Sequence, residues 1–248
     1  MLRRMMLLSV WGVLLLAAAP PSCRSAEQQA LQQFDAVTFE PLSDEKCLGI
    51  ERLKRSVLRV WKSDGVFSAV CLGEFELLAA GHSLRGLEVP TELYVAQVIS
   101  YPDDVAAGSV MLDQVRVGPE DGERSSDWGY VRTAKPLDAL PARINTELHL
   151  VSGQEVVLVG YPMAHDGHAL HSVSVVRARV SDDRGSVLTL VGPKEWRHPL
   201  SGLSGGAAAF WDESLGDYVV FGAFSATRCS EALDDCVYLV VRPPVPFD

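Results

Sequence analysis

Three short segments carry residues whose types suit one chemistry. An apolar run ends on a histidine in Leu77-Leu78-Ala79-Ala80-Gly81-His82. A second apolar run opens on an aspartate in Asp127-Trp128-Gly129-Tyr130-Val131. A serine sits inside a glycine-rich turn, Gly202-Leu203-Ser204-Gly205-Gly206. A serine hydroxyl is a weak nucleophile at neutral pH; it needs a base within hydrogen-bond reach, and that base needs a third group to orient it. Histidine titrates near neutrality and suits the base. A buried carboxylate then holds the imidazole tautomer and stabilises the imidazolium formed during reaction. Attack on a carbonyl builds negative charge on its oxygen, and glycines beside the nucleophile let main-chain N–H groups point at that charge. Taken singly, each segment has a plain structural reading: a satisfied histidine, a turn-capping aspartate, a flexible hairpin. Only their combination points to acyl transfer.

The elements that must position these residues read as strands. Short β-branched and aromatic runs recur, separated by Gly, Pro, Asp and Ser clusters. Six fall in the first half, near 56–61, 66–72, 75–80, 92–99, 110–117 and 128–132. Six more fall near 155–160, 170–180, 186–191, 206–211, 217–225 and 236–241. Residues 175–180 alternate apolar and polar, as a half-buried strand does, whereas 156–159 are continuously apolar, as a core strand is. After residue 45 no long stretch holds apolar residues at helical spacing. Two prolines in 135–143 mark a linker, since proline is disfavoured inside sheets. Two sets of about six strands, each under about a hundred residues, predict an all-β chain of two six-stranded antiparallel β-barrels; one large β-sandwich is the alternative. The expected layout is a signal peptide over 1–26, a lead-in over 27–46, an N-terminal barrel over 47–134, a linker over 135–145 and a C-terminal barrel over 146–248.

The N-terminus reads as a secretory signal, with Arg3 and Arg4 ahead of a 13-residue apolar run over 7–19. That run is too short for a comfortable membrane span, so no stable membrane insertion is expected once the signal is removed. Residues 1–25 carry three arginines and no acid, so their loss takes the formal charge from −10 to −13. So acidic a chain is a poor nucleic-acid binder. Export permits disulfides. With Cys23 gone, Cys229 and Cys236, seven apart around a polar loop, are the favoured pair. Cys47 and Cys71 are left either to pair by elimination or to stay as two free, buried thiols. His165, His168 and His171 have the donors for zinc but the spacing of neither a zinc helix nor a strand, and Asp166-Gly167 reads as a turn. No metal and no cofactor is expected.

Together the three segments resemble those of the chymotrypsin-like (trypsin-like) serine proteases. The run ending at His82 resembles that family's histidine-bearing strand end. Asp127-Trp128-Gly129-Tyr130-Val131 resembles its Asp-hydrophobic-Ala-Leu segment, and Gly202-Leu203-Ser204-Gly205-Gly206 its Gly-x-Ser-Gly-Gly turn. The order His, Asp, Ser is the chymotrypsin order, with separations of 45 and 77 residues. Val159-Gly160-Tyr161-Pro162 and Val220 to Ser225 add further matches, so the likeness spans most of 50–241. It implies a serine endopeptidase acting on polypeptides, with His82, Asp127 and Ser204 catalytic, an oxyanion hole from the N–H groups of Gly202 and Ser204, and the active site in the cleft between the barrels.

Leu203 departs from trypsin and chymotrypsin, whose aspartate before the serine binds the freed N-terminus on activation. In this respect the chain resembles bacterial secreted members such as glutamyl endopeptidases, which also lack that aspartate. Alignment from Ser204 puts His198 at the floor of the substrate pocket and Phe224 and Ser225 along its wall. No acid stands at the floor, so a trypsin-like preference for Arg or Lys is not implied; a medium apolar side chain and an acidic one are both open. Cys229 falls at the pocket rim, and Leu200 replaces its usual partner, which favours pairing with Cys236. The alternative function is a non-catalytic homologue that binds a partner protein. The oligomeric state is left open.

Overall fold

The structure is a computed structural model, and it describes residues 38–100, 104–162, 172–193, 200–229 and 236–244. The signal segment, His165, His168, His171 and His198 lie outside the described residues. Twelve strands close into two six-stranded antiparallel barrels, as the spacing of apolar runs predicts. The first comprises β1 (Val57–Lys62), β2 (Gly65–Gly73), β3 (Glu76–Ala80), β4 (Thr91–Ser100), β5 (Asp104–Val117) and β6 (Trp128–Thr133), in the order β1-β2-β3-β6-β5-β4. The second comprises β7 (Glu155–Gly160), β8 (Ser174–Asp183), β9 (Val187–Val191), β10 (Ala207–Asp212), β11 (Asp217–Cys229) and β12 (Cys236–Val241), in the order β10-β11-β12-β9-β8-β7. No sandwich forms, because each sheet closes on itself and leaves no free edge.

Side-chain alternation sorts the apolar residues into three cores. Leu58, Val60, Phe67, Ala69, Leu77 and Ala79 fill the first barrel. Val156, Leu158, Ala208, Phe221, Phe224 and Val240 fill the second. The opposite faces of the same strands, with Val57, Val70, Leu78, Val157, Val159 and Val220, meet in a third core between the barrels. This explains the continuous apolar run at 156–159: alternate residues point into the barrel and into the interface, so both faces are dry.

One helix departs from the sequence reading. α1 (Asp44–Lys54) lies almost wholly past residue 45, where no long stretch with helical spacing was expected. The Ser43 side chain caps it by accepting from the Lys46 N–H; Asp44 and Glu45 open it, and Arg52 and Lys54 close it, matching the helix dipole. Its apolar stripe is narrow, only Gly49, Ile50 and Leu53 being buried. It packs on the second barrel. A Cβ on Gly49 would stand 2.7 Å from Trp211 and 3.0 Å from Tyr218, so only glycine permits this approach. Arg52 secures it by an ion pair with Asp217 at 2.9 Å.

The proline-containing connection is strapped to both barrels. Leu140 donates to the Arg55 carbonyl at the end of α1 and Ala142 to the Cys71 carbonyl of the first barrel, and Asn145 donates to Val220 of the second. Cys229 and Cys236 are register partners on β11 and β12 and form a disulfide, as favoured. Cys47 and Cys71 do not pair: both are free, Cys47 exposed on α1 and Cys71 buried in the first barrel. Among the described residues no helix is long and apolar enough to cross a membrane.

Candidate active site

Antiparallel pairing of β3 with β6 brings His82 to Asp127. Ala80 is opposite Trp128, so the residues just past β3 lie beside those just before β6. Gly81 donates its N–H to the Asp127 carbonyl at 3.0 Å. A Cβ on Gly81 would stand 2.8 Å from the Trp128 carbonyl oxygen, so a larger residue would push the two chains apart. The chain then turns into α2 (Gly81–Leu84), a single helical turn that carries His82.

Asp127 is buried, and among the described residues its carboxylate accepts from His82 and Ser225. The His82 main-chain N–H donates to Oδ1 at 2.7 Å. The His82 ring places Nδ1 at 2.8 Å from Oδ2 and 3.1 Å from Oδ1. The Ser225 hydroxyl donates to Oδ2 at 2.5 Å. Burial pushes the Asp127 carboxyl upward, but the hydrogen bonds from His82 and Ser225 outweigh it and hold the group below the usual carboxylate range. An ionised carboxylate only accepts, so Nδ1 must carry the proton and Nε2 is left as the acceptor of the neutral ring. The ring is half exposed, its side chain 44% accessible against 7% for Asp127. This is the arrangement of a general base with its orienting group.

Ser225 reaches Asp127 from the other barrel because of a bulge. Phe224 pairs with Val240 and Ala226 with Leu239, so Ser225 is the extra residue on β11. A bulge re-aims a side chain, and here it turns the hydroxyl out of the ladder and onto the carboxylate. Of the residues aligned with a substrate pocket, Phe224 and Ser225 are therefore both 1% exposed. Phe224 stacks at a tilt on Tyr238 within the second barrel's core.

Ser204 occupies a turn gripped by both barrels. Its carbonyl accepts from the Ser68 N–H at 2.8 Å, and its neighbour Gly205 donates to Phe224 at 2.7 Å. Gly202 and Gly205 have φ of +82° and +84°, conformations that side chains other than glycine rarely adopt. A Cβ on Gly205 would also lie 2.1 Å from the Ser68 carbonyl oxygen and about 3 Å from Ala79 and Ala80, which lead to His82. The preceding Leu203 is fully buried, against Gly160, and anchors the turn in the second core. The N–H groups of Gly202 and Ser204 donate to no other described residue. Ser204 Oγ and His82 Nε2 are not hydrogen-bonded to one another or to any other described residue. Such bonds are often long before substrate binds. An open cavity of about 510 Å³ flanks α2, lined by Leu84, Arg85, Leu87, Val89, Val115 and Val117.

Sequence reasoning passed over two groups that hold this site: the Ser225 hydroxyl, whose role depends on the bulge, and the Ser68 hydroxyl, which donates to the Gly202 carbonyl. Among the described residues no cluster of His, Cys, Asp or Glu has the geometry to hold a metal ion.

No protein-family model matches the chain. No curated protein matches it either. Among solved structures, 1212 chains match. One of them is the crystal structure of the scabies mite inactivated protease paralogue S-I1, with a TM-score of 0.61 and 14% identity over 77% of this chain and 90% of that one. At that identity the likeness is one of fold, and the fold is the chymotrypsin-like double barrel.

Proposed function

We propose that the chain is a secreted serine endopeptidase in which Ser204 is the nucleophile, His82 the general base and acid, and Asp127 the group that orients His82. The observation that carries this reading is the Asp127 carboxylate, buried and held by donors from both barrels, which leaves His82 Nε2 as an acceptor, while Gly205, next to Ser204, packs against Ala79 and Ala80 on the strand end that leads to His82. Ser204 attacks the scissile carbonyl carbon as its proton passes to Nε2. The N–H groups of Gly202 and Ser204 receive the developing oxyanion. The tetrahedral intermediate collapses, the C–N bond breaks, and His82 returns the proton to the leaving amine. Water, deprotonated by His82, then cleaves the acyl-enzyme. No cofactor enters this cycle.

Two features support the finer parts of the reading. Leu203 fixes the turn by burial, so no freed amine is required to order it, which favours a bacterial-type enzyme over the trypsin subgroup. The Cys229–Cys236 disulfide and the signal-like segment 1–26 favour export to an oxidising compartment. The substrate is a polypeptide.

The unmade bond between Ser204 and His82, together with a matching protein described as an inactivated protease, favours a second reading: a non-catalytic homologue that binds a partner protein. Incubating the secreted protein with a peptide library separates the two. The endopeptidase reading expects a defined set of cleavages that Ser204→Ala abolishes. Cleavages unaffected by Ser204→Ala, or none at any pH from about 5 to 9, would refute it.

A further inference from the structure

Ser68 lies in β2, in the first barrel, yet its N–H and hydroxyl make three hydrogen bonds to the second. It is wholly buried. Its N–H donates to the Ser204 carbonyl at 2.8 Å. Its hydroxyl donates to the Gly202 carbonyl at 3.0 Å and accepts from the Tyr161 N–H at 2.9 Å. Strand pairing leaves it free to do so: β2 pairs with β3 only from Val70 onward, so the Ser68 main chain faces the turn on that side.

We propose that Ser68 is a positioning residue for the oxyanion hole: its hydroxyl fixes the peptide between Gly202 and Leu203, and so the directions of the Gly202 and Ser204 N–H groups on either side. The proposal rests on the endopeptidase reading above. Among the described residues that peptide is held at two points. Its carbonyl accepts from Ser68 Oγ, and its N–H donates to the Leu200 carbonyl at a longer 3.2 Å. Gly202, with φ of +82° and no side chain, imposes little rotational restriction of its own. Without the hydroxyl, the Gly202 carbonyl is left buried and unsatisfied, and rotating the peptide plane is the nearest way to relieve it. The backbone adjustment this forces at Gly202 and Leu203 turns the flanking Gly202 and Ser204 N–H groups off target. Gly160 completes the cradle: a Cβ there would stand 2.9 Å from Ser68 Oγ and 2.6 Å from Leu203.

The test measures labelling of the intact protein by a fluorophosphonate probe, whose phosphoryl oxygen occupies the oxyanion position, from about pH 5 to pH 9. Ser68→Ala should lower the plateau rate by about 10- to 100-fold. Its pH midpoint should match the wild type, because Ser68 hydrogen-bonds to neither His82 nor Asp127. A thermal melt checks that the variant is folded. If Ser68→Ala does not fold, Ser68→Cys decides, since a thiol keeps the shape but donates weakly; it should be at least about threefold slower. A folded Ser68→Ala (or, in its place, Ser68→Cys) that labels within about twofold of wild type, or shifts the midpoint at an unchanged plateau, overturns the role of Ser68. A wild type that resists the probe overturns instead the endopeptidase reading on which this role rests.

Discussion

Replacing Ser225 by alanine removes one of the donors that hold Asp127 ionised. The bond is short, 2.5 Å, and Ser225 is 1% exposed, so water does not replace it. Hydrogen bonds to charged groups contribute about 1.5–3 kcal/mol. A loss near 2 kcal/mol lowers Tm by about 4–8 °C in a protein of this size. The sign of the pH dependence follows from the depressed Asp127 carboxyl. A group whose pKa is lowered by folding stabilises the protein above its unfolded value, near 3.9, and that stability is lost as pH falls through the folded value. Ser225→Ala raises the folded pKa, so the gap between variant and wild type is full at about pH 7 and narrows on acidification. A looser Asp127 also lets the His82 ring drift, which should slow fluorophosphonate labelling about tenfold. Differential scanning calorimetry at pH 7 and at about pH 3, with labelling rates at pH 7, makes the check. A Tm gap equally wide at both pH values would mean that Ser225 acts by packing alone, and the reasoning would fail.

Two further outcomes are expected. Asp183 grips Arg242 with both oxygens, at 2.6 and 2.8 Å; burial pushes its carboxyl up, but Arg242 and two main-chain N–H groups hold it down at about 2. That contribution, at most about 3 kcal/mol, is complete near neutrality and is lost as pH falls from about 4 to 2. Asp183→Asn, which also leaves the buried Arg242 charge unpaired, should cost about 3 kcal/mol in urea unfolding at pH 7 and clearly less near pH 2; an equal cost at both would contradict it. Cys71 is buried with its thiol pushed up to about 11, whereas Cys47 is exposed, so an aromatic disulfide reagent should modify Cys47 in the native protein and Cys71 only on unfolding. Cys47→Ser that still reacts rapidly when native would overturn this.

Much of the fold was legible because barrel strands leave a direct trace. Alternation at 175–180 and the doubly buried run at 156–159 each map onto one strand, β8 and β7. β5 runs longer than its apolar core implies, because Ala106, Ala107 and Gly108 extend the ladder without an apolar signature. The run of α1 past residue 45 was missed although Ser43-Asp44-Glu45 is a helix start: its buried stripe is only Gly49, Ile50 and Leu53, and one of these is a glycine. At the site, β3–β6 pairing explains why a histidine and an aspartate 45 residues apart meet. The contribution of Ser225 was not legible, since strand alternation says nothing of the bulge that turns its hydroxyl to Asp127. Ser68 was invisible for a related reason. A lone serine in an apolar strand shows no partner until the two barrels are packed together.

The claim that Ser204 is an activated nucleophile is tested most directly by the intact mass of the secreted protein after exposure to a fluorophosphonate. The account predicts a single adduct, mapped to Ser204 by peptide sequencing, absent from Ser204→Ala and strongly reduced in His82→Ala. Folded wild-type protein that keeps its mass across neutral pH, or that takes up the label equally without Ser204, would contradict it.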